Sequence, residues 1–303
     1  MEICIICALE KELTDEHIIP EFMGGGLIVK NVCKECNSTM GSGFEGRISN
    51  SFIYQSARFT NKIEGKASLP FPFKGVRKGE DSGTSFSISE DGTLTSIPDI
   101  TIKEDEEGLT ISLSVDQKEI DNIKPLIEKK LSRHFKSKGE NVSDSKISEG
   151  VDKFLEQADF SESKIKNPSI KENISVDFND IELLHIKIAY ELACHHFGRE
   201  YMADPVANLL RLALLQQNIG SKIKAQTPMD NDPFTNFIDD DHHWVVFMLC
   251  GCYVKAFGFN SFIQFSSEGS QFSSTEGAVY KFCYKTQTHN RSDLASLLRD
   301  RHA

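Results

Sequence analysis

Apolar residues recur every three to four positions between Asp180 and Phe197, where Ile181, Leu184, Ile188, Leu192 and His195 fall on one stripe and Gly198 follows as a stop. This pattern predicts a long helix. A second helix is expected from Asp204-Pro205 to Gln217, and two more over 117–137 and 149–158, separated by the polar stretch Ser137–Ser148. A short terminal helix is expected over Ser292–Arg301. Between Ser85 and Val115 the period changes to two, as in Phe86-Ser87-Ile88, Thr93-Leu94-Thr95 and Ile111-Ser112-Leu113-Ser114-Val115, with Asp91-Gly92 as a turn. Two hairpins follow from that. Further strands are expected at His243–Cys250, Cys252–Phe259, Phe262–Phe265 and Ala278–Lys285, and no internal repeat is present.

This order of elements is that of an α+β protein, with a small N-terminal module at 1–57, a basic linker or arm at 58–80 and a larger mixed α+β domain at 81–303. The 303 residues, 39% of them apolar, suffice for one large or two ordinary domains. No run of about 18 apolar residues is found, and the first 30 lack a basic start followed by an apolar segment. A cytoplasmic protein with no membrane partner is therefore expected.

The formal net charge of -11 argues at first against nucleic acid as a partner. Locating the charge changes that reading. Residues 81–122 hold 11 acids and 2 bases, a net of -9, whereas residues 61–80 carry +3. The arm contributes Arg58, Lys62, Lys66, Lys74, Arg77 and Lys78, with Pro70 and Pro72 against a helix. The lysines and arginine near the end of the predicted helix at 117–137 form either a basic patch or a solvated face.

Four of the eight cysteines lie in the first 36 residues, as Cys4-x2-Cys7 and Cys33-x2-Cys36. Such paired knuckles can close a tetrahedral zinc site, the two-residue gap placing both sulfurs of a pair on one ion. The grouping points to metal and not to a disulfide scaffold. Cys194, Cys250, Cys252 and Cys283 fall in element interiors and are expected as core thiols.

Between the cysteine pairs stand Asp15-Glu16-His17-Ile18-Ile19-Pro20, Gly24-Gly25 and Asn31, with Asn37 directly after Cys36. In this order the segment from about residue 4 to 45 resembles the HNH endonuclease family, in the version whose ββα-metal core is pinned by four cysteines. The resemblance implies a small ββα-metal, treble-clef-like zinc module and a phosphodiester hydrolase. It implies that His17 is the general base, a role suited to an imidazole with an unperturbed pKa of about 6.5. It also implies that Glu16 and Asn37 hold a catalytic Mg²⁺ or Mn²⁺ through hard oxygen donors, and that Asn31 fixes the loop orienting His17. Asp15 is a rival to Glu16, because neighbours in a strand point to opposite faces.

For a nuclease, the basic approach to a double-stranded DNA backbone is expected from Lys34, Arg47, Arg58 and Lys62, with Lys66. Phe59, Phe71 and Phe73 read as apolar anchors of the arm. His195-His196 and the run Asp239-Asp240-Asp241-His242-His243 read as helix interior and acidic loop. A stand-alone enzyme of this type resembles restriction or antiphage effectors by analogy, and a homodimer or an activating ligand or partner protein would suit it. The alternative is a non-catalytic, zinc-stabilised nucleic-acid-binding or regulatory protein in which His17 only packs.

Overall fold

A computed structural model describes the chain except residues 66–67, 81–83, 106–107, 163–168, 170–172, 228–231 and 300–303. Lys66, the acids Glu106 and Glu107, and the end of the terminal helix lie outside the described residues. In chain order, strands β1 (Glu2–Ile3), β2 (Glu10–Lys11), β3 (Leu13–His17) and β4 (Ile28–Cys33) precede helices α1 (Lys34–Ser42), α2 (Phe44–Ser49) and α3 (Phe52–Asn61). Strands β5 (Val76–Lys78), β6 (Ser85–Ile88), β7 (Leu94–Ile97), β8 (Asp99–Asp105) and β9 (Gly108–Ser114) lead to helices α4 (Ile123–Ser137) and α5 (Asp144–Gln157). Then come α6 (Phe178–Phe197), α7 (Pro205–Gln216) and strands β10 (Ala225–Gln226), β11 (His243–Leu249) and β12 (Gly251–Ala256). Last are β13 (Phe259–Gln264), β14 (Ser274–Cys283), β15 (Thr288–Asp293) and helix α8 (Leu294–Arg299). Every described strand pairing is antiparallel, which makes the chain α+β.

Packing divides the chain at other places than its composition does. One compact unit joins Met1–Pro72 to Ser175–Ala303, and the second is Phe73–Ile174. The basic stretch from residue 58 is not one linker: Arg58 lies in the last turn of α3, and Val76–Lys78 pairs with β6. Composition marks what faces water, whereas a unit is set by which apolar faces meet.

The first unit is built on α6. Its N-cap, Asp177, accepts hydrogen bonds from the backbone of Asn179 and Asp180, and Gly198 ends it at φ +84. Of its 20 residues, 14 are buried, so the helix is enclosed on nearly all sides. Leu184, Ile188 and Leu192 share one core with Ile5, Ile18, Met40 and Phe44 of the first 50 residues and with Val245, Phe247, Cys252 and Val254 of the sheet. That sheet has the order β10-β13-β12-β11-β14-β15. Its central strands read as unbroken apolar runs because both faces are covered: Val245 and Phe247 face the α6 core, while Trp244, Val246 and Tyr253 pack with Phe234 and Ile238 on the other side.

The second unit contains the expected hairpins. In one, β6 and β7 pair around Asp91-Gly92 with β5 alongside; the other is β8–β9. A small core of Ile100, Ile123, Ile127, Leu131, Ile147 and Val151 joins the second hairpin to α4 and α5. Strand β15 has no counterpart among the sequence expectations, because Thr288–Asp293 is exposed on both faces and has no apolar alternation to read.

Candidate active site

The cysteine pairs sit on two different local devices. Cys4 and Cys7 occupy the turn between β1 and β2, closed by the Ala8 N–H on the Cys4 carbonyl at 2.9 Å. Cys33 is the N-cap of α1 and Cys36 lies in its first turn. The Cys33 N–H donates to Cys4 Sγ at 3.3 Å. All four Sγ atoms lie within 4.8 Å of one another, and Cys7 Sγ is 3.9 Å from Cys33 Sγ. Zn–S bonds of about 2.3 Å in a tetrahedron place sulfurs about 3.8 Å apart, so the cluster fits zinc. Burial, and after it the neighbouring thiols, push the Cys36 thiol well above its ordinary range. An ion is what would let these sulfurs carry charge together.

Around this cluster the N-terminal segment is held by side chains from far along the chain. Tyr190 Oη donates to the Ile5 carbonyl at 2.6 Å and Arg211 to that of Ile6 at 2.9 Å. The Gln217 amide spans the α1–α2 junction, donating to the Thr39 carbonyl and accepting from the Phe44 N–H.

Strand β3 carries the acid and histidine of the motif to its end. Residues alternate as expected: Asp15 is exposed, Glu16 is only 4% exposed, and His17 is half-buried. His17 Nδ1 stands 2.9 Å from the Gly25 carbonyl, so Nδ1–H donates, and in the neutral imidazole Nε2 is then the acceptor. The glycine run has no room for side chains. A Cβ on Gly25 would meet the Ile19 carbonyl at 1.7 Å, one on Gly26 the Gln287 carbonyl at 1.8 Å, and Gly24 (φ +78) lies against Tyr284. The loop that orients His17 is thus clamped under the turn between β14 and β15, and His243 Nε2–H donates to the adjacent Met23 carbonyl at 2.9 Å.

Asn37, in the first turn of α1, donates its amide to the Asp15 carbonyl at 3.1 Å and toward Thr14 Oγ1 at 3.5 Å. This draws α1 onto β3 at Thr14 and Asp15, next in sequence to the acid-histidine pair. Asn31 is placed elsewhere. Thr14 pairs with Val32 and Asp15 with Lys30, so Asn31 is the extra residue of a β-bulge. Its carbonyl accepts from the Ile5 N–H at 2.9 Å, tying the hairpin to the first cysteine turn. Its side chain lines a cavity of about 340 Å³ together with Lys30, His195 and Arg199. Among the described residues no hydrogen bond joins Asn31 to the loop that orients His17.

Glu16 points inward to a group that the sequence reading did not single out. Its Oε1 is 2.6 Å from Lys187 Nζ, which is fully buried and also 3.3 Å from Glu45 Oε1 and 3.3 Å from Glu191 Oε2. The same ammonium donates to the backbone carbonyls of His17 and Ile18. Burial, opposed by the Lys187 charge, pushes the Glu45 and Glu191 carboxyls above the ordinary range. The available signal was Lys187 and Glu191 at i,i+4 among the mostly apolar buried residues of α6.

The four candidate DNA-contacting cations divide into two groups. Lys34 and Lys62 are exposed. Arg47 is committed to Asp180, with Nη2–Oδ1 at 2.6 Å and Nε–Oδ2 at 2.8 Å. Arg58 is 7% exposed, one helical turn from the buried Tyr54, and its Nε has no partner among the described residues. The Asp239–His243 loop is used up locally: Asp239 pairs with His242 and Lys281, Asp240 with Lys255, and Asp241 with Lys285. Among the described residues, the four cysteines form the one cluster of such side chains suited to a metal.

Residues 4–53 match the family model described as HNH endonuclease, so the match covers the N-terminal module of the chain. No curated protein and no solved structure matches the chain significantly. The match supports a nuclease module with a cysteine metal site.

Proposed function

We propose that the chain is a metal-dependent endonuclease that hydrolyses phosphodiester bonds in DNA. The observation that carries this reading is the His17 imidazole, held at Nδ1 by the Gly25 carbonyl with Nε2 left as an acceptor, at the end of a strand that Asn37 joins to α1. In that geometry Nε2 takes a proton from water, the water oxygen attacks phosphorus, and the ester P–O bond breaks. Glu16 and Asn37 are the proposed holders of Mg²⁺ or Mn²⁺. Asn37 fits because its amide nitrogen is engaged by Asp15 and its oxygen remains as a donor; Glu16 fits because Lys187 engages Oε1 and the side chain keeps a small exposure. When bound, the ion would stabilise charge on the phosphate and on the departing oxygen. The zinc would hold the hairpin to the helix and do no chemistry.

Lys34 and Lys62 are the exposed cations proposed to meet the DNA backbone, whereas Arg47 and Arg58 serve the scaffold. Residues beyond the module are proposed to recognise DNA, sense a ligand or partner protein, or form a homodimer interface. A restriction or antiphage role would be consistent with that arrangement. Purified protein with Mg²⁺ or Mn²⁺ is expected to nick or cut plasmid, and His17→Ala to lose about 10²–10⁴-fold in rate with unchanged zinc content. Equal behaviour of the two proteins across both metals and DNA types would end the catalytic reading.

A second reading, a zinc-stabilised binding module without turnover, is favoured by the depth of Glu16 and its contact with Lys187. It expects DNA binding that His17→Ala leaves intact, and no cleavage by either protein.

A further inference from the structure

We propose that Lys187 is a positioning residue of the nuclease site, holding Glu16 and the backbone of His17 in place from the distant helix α6. The inference rests on the catalytic reading above and names a residue outside the matched segment 4–53.

The geometry is specific to that role. Lys187 Nζ makes its shortest carboxylate contact with Glu16, at 2.6 Å, while Glu45 and Glu191 stand back at 3.3 Å. It also takes the carbonyls of His17 and Ile18, the two positions at which β3 ends and the loop toward Gly25 begins. One ammonium therefore fixes both a side-chain oxygen of the acid and the peptide plane carrying the histidine. Among the described residues no other group makes a hydrogen bond to the Glu16 carboxylate, so one oxygen is tethered and the second is left to turn toward an ion. An ammonium with three rotatable donors suits this three-way demand, and the fork of a guanidinium does not.

The surplus of acid in the cage also separates positioning from stability. Three carboxylates and two carbonyls surround a single cation that is fully buried. A hydrophobic replacement of a buried ion pair is often neutral or stabilising, so a bare structural fastener needs no such set. Glu45 comes from α2 and Glu191 from α6, so the ammonium is centred between three elements and its place is fixed by all of them.

The test uses the full chain. Lys187→Met combined with Glu191→Gln removes the cation and one buried acid together, and Lys187→Arg keeps the charge while changing the geometry. Zinc content and a cooperative melt establish that each variant is folded. Expected for the folded variants are a fall in kcat of at least thirtyfold with KM for DNA within threefold, and about tenfold weaker Mn²⁺ binding read by electron paramagnetic resonance without DNA. Should the double variant not fold, Lys187→Arg carries the same expectation at smaller size, a fall of at least fivefold. A folded variant with wild-type kcat and wild-type Mn²⁺ affinity overturns the proposal. Failure of the wild type to cleave or to bind Mn²⁺ is a different result and overturns the nuclease reading itself.

Discussion

The four-cysteine cluster and the Lys187 cage both fasten the β3–β4 hairpin, but the first joins Cys4 to Cys36 through neighbouring turns while the second joins Glu16 to a helix near residue 187. The cluster is chemically closed, since four soft donors around one ion leave no position for substrate. The cage is open in the opposite sense: it holds more acid than cation and leaves part of Glu16 uncommitted. A closed site can supply folding free energy outright, because the metal has no comparable site in the unfolded chain. A buried ion cage contributes little net stability yet is costly to break from one side. The difference separates what makes the module fold from what aims its acid and histidine.

The largest effect that would sharpen this contrast is loss of zinc, since structural zinc in small modules is worth on the order of 10–16 kcal/mol. Cys33→Ser with Cys36→Ser is expected to abolish the metal and the cooperative melt of the N-terminal segment. Metal analysis giving well under one equivalent in intact protein would break the comparison at its first term. Smaller is the cost of Lys187→Met alone, expected at about 3–5 kcal/mol in urea unfolding, because three carboxylates would stay buried without their cation. An unchanged midpoint would mean that the cage is not a fastener.

The smallest effect concerns a third, uncharged fastener, the His243 contact to Met23. Burial lowers the His243 pKa to about 4 and the His185 pKa to about 3. Folded protein then binds fewer protons than unfolded protein, whose histidines titrate near 6.5. The stabilisation is complete above about pH 6.5 and is lost as pH falls toward 4 and then 3. Urea midpoints are expected to drop across that window, with a shallower slope in His243→Gln. Equal slopes would remove His243 from the comparison.

What could be read in advance follows the same division of near and far. The cysteine spacing, the alternation around Asp91-Gly92 and the stripe of α6 are short-range patterns, and each became the expected element. Asn37 reaches β3 at the Asp15 carbonyl, and Glu16 and His17 are the last two residues of that strand. Arg58 misled because a cation in a basic run looks solvated, although its spacing from Tyr54 puts it on the inner face of α3. Asn31 misled because a bulge shifts register without a sequence mark when no glycine is used. Lys187 could be noticed as odd within an apolar helix, but its partners Glu16 and Glu45 are known only once the chain has folded back on itself. The unit boundaries near residues 72 and 174 depend on the same long-range return.

The close approach of Gly24–Gly26 to the turn at Tyr284–Gln287 has a consequence for the order of synthesis. Ribosomes add about 5–20 residues per second, so the roughly 260 residues separating these segments take on the order of 13–50 s to make. The cysteines can gather metal early in that interval, while the clamp on the loop that orients His17 arrives only when the interval is over. A nascent chain thus carries its metal-binding turns long before it can hold its histidine.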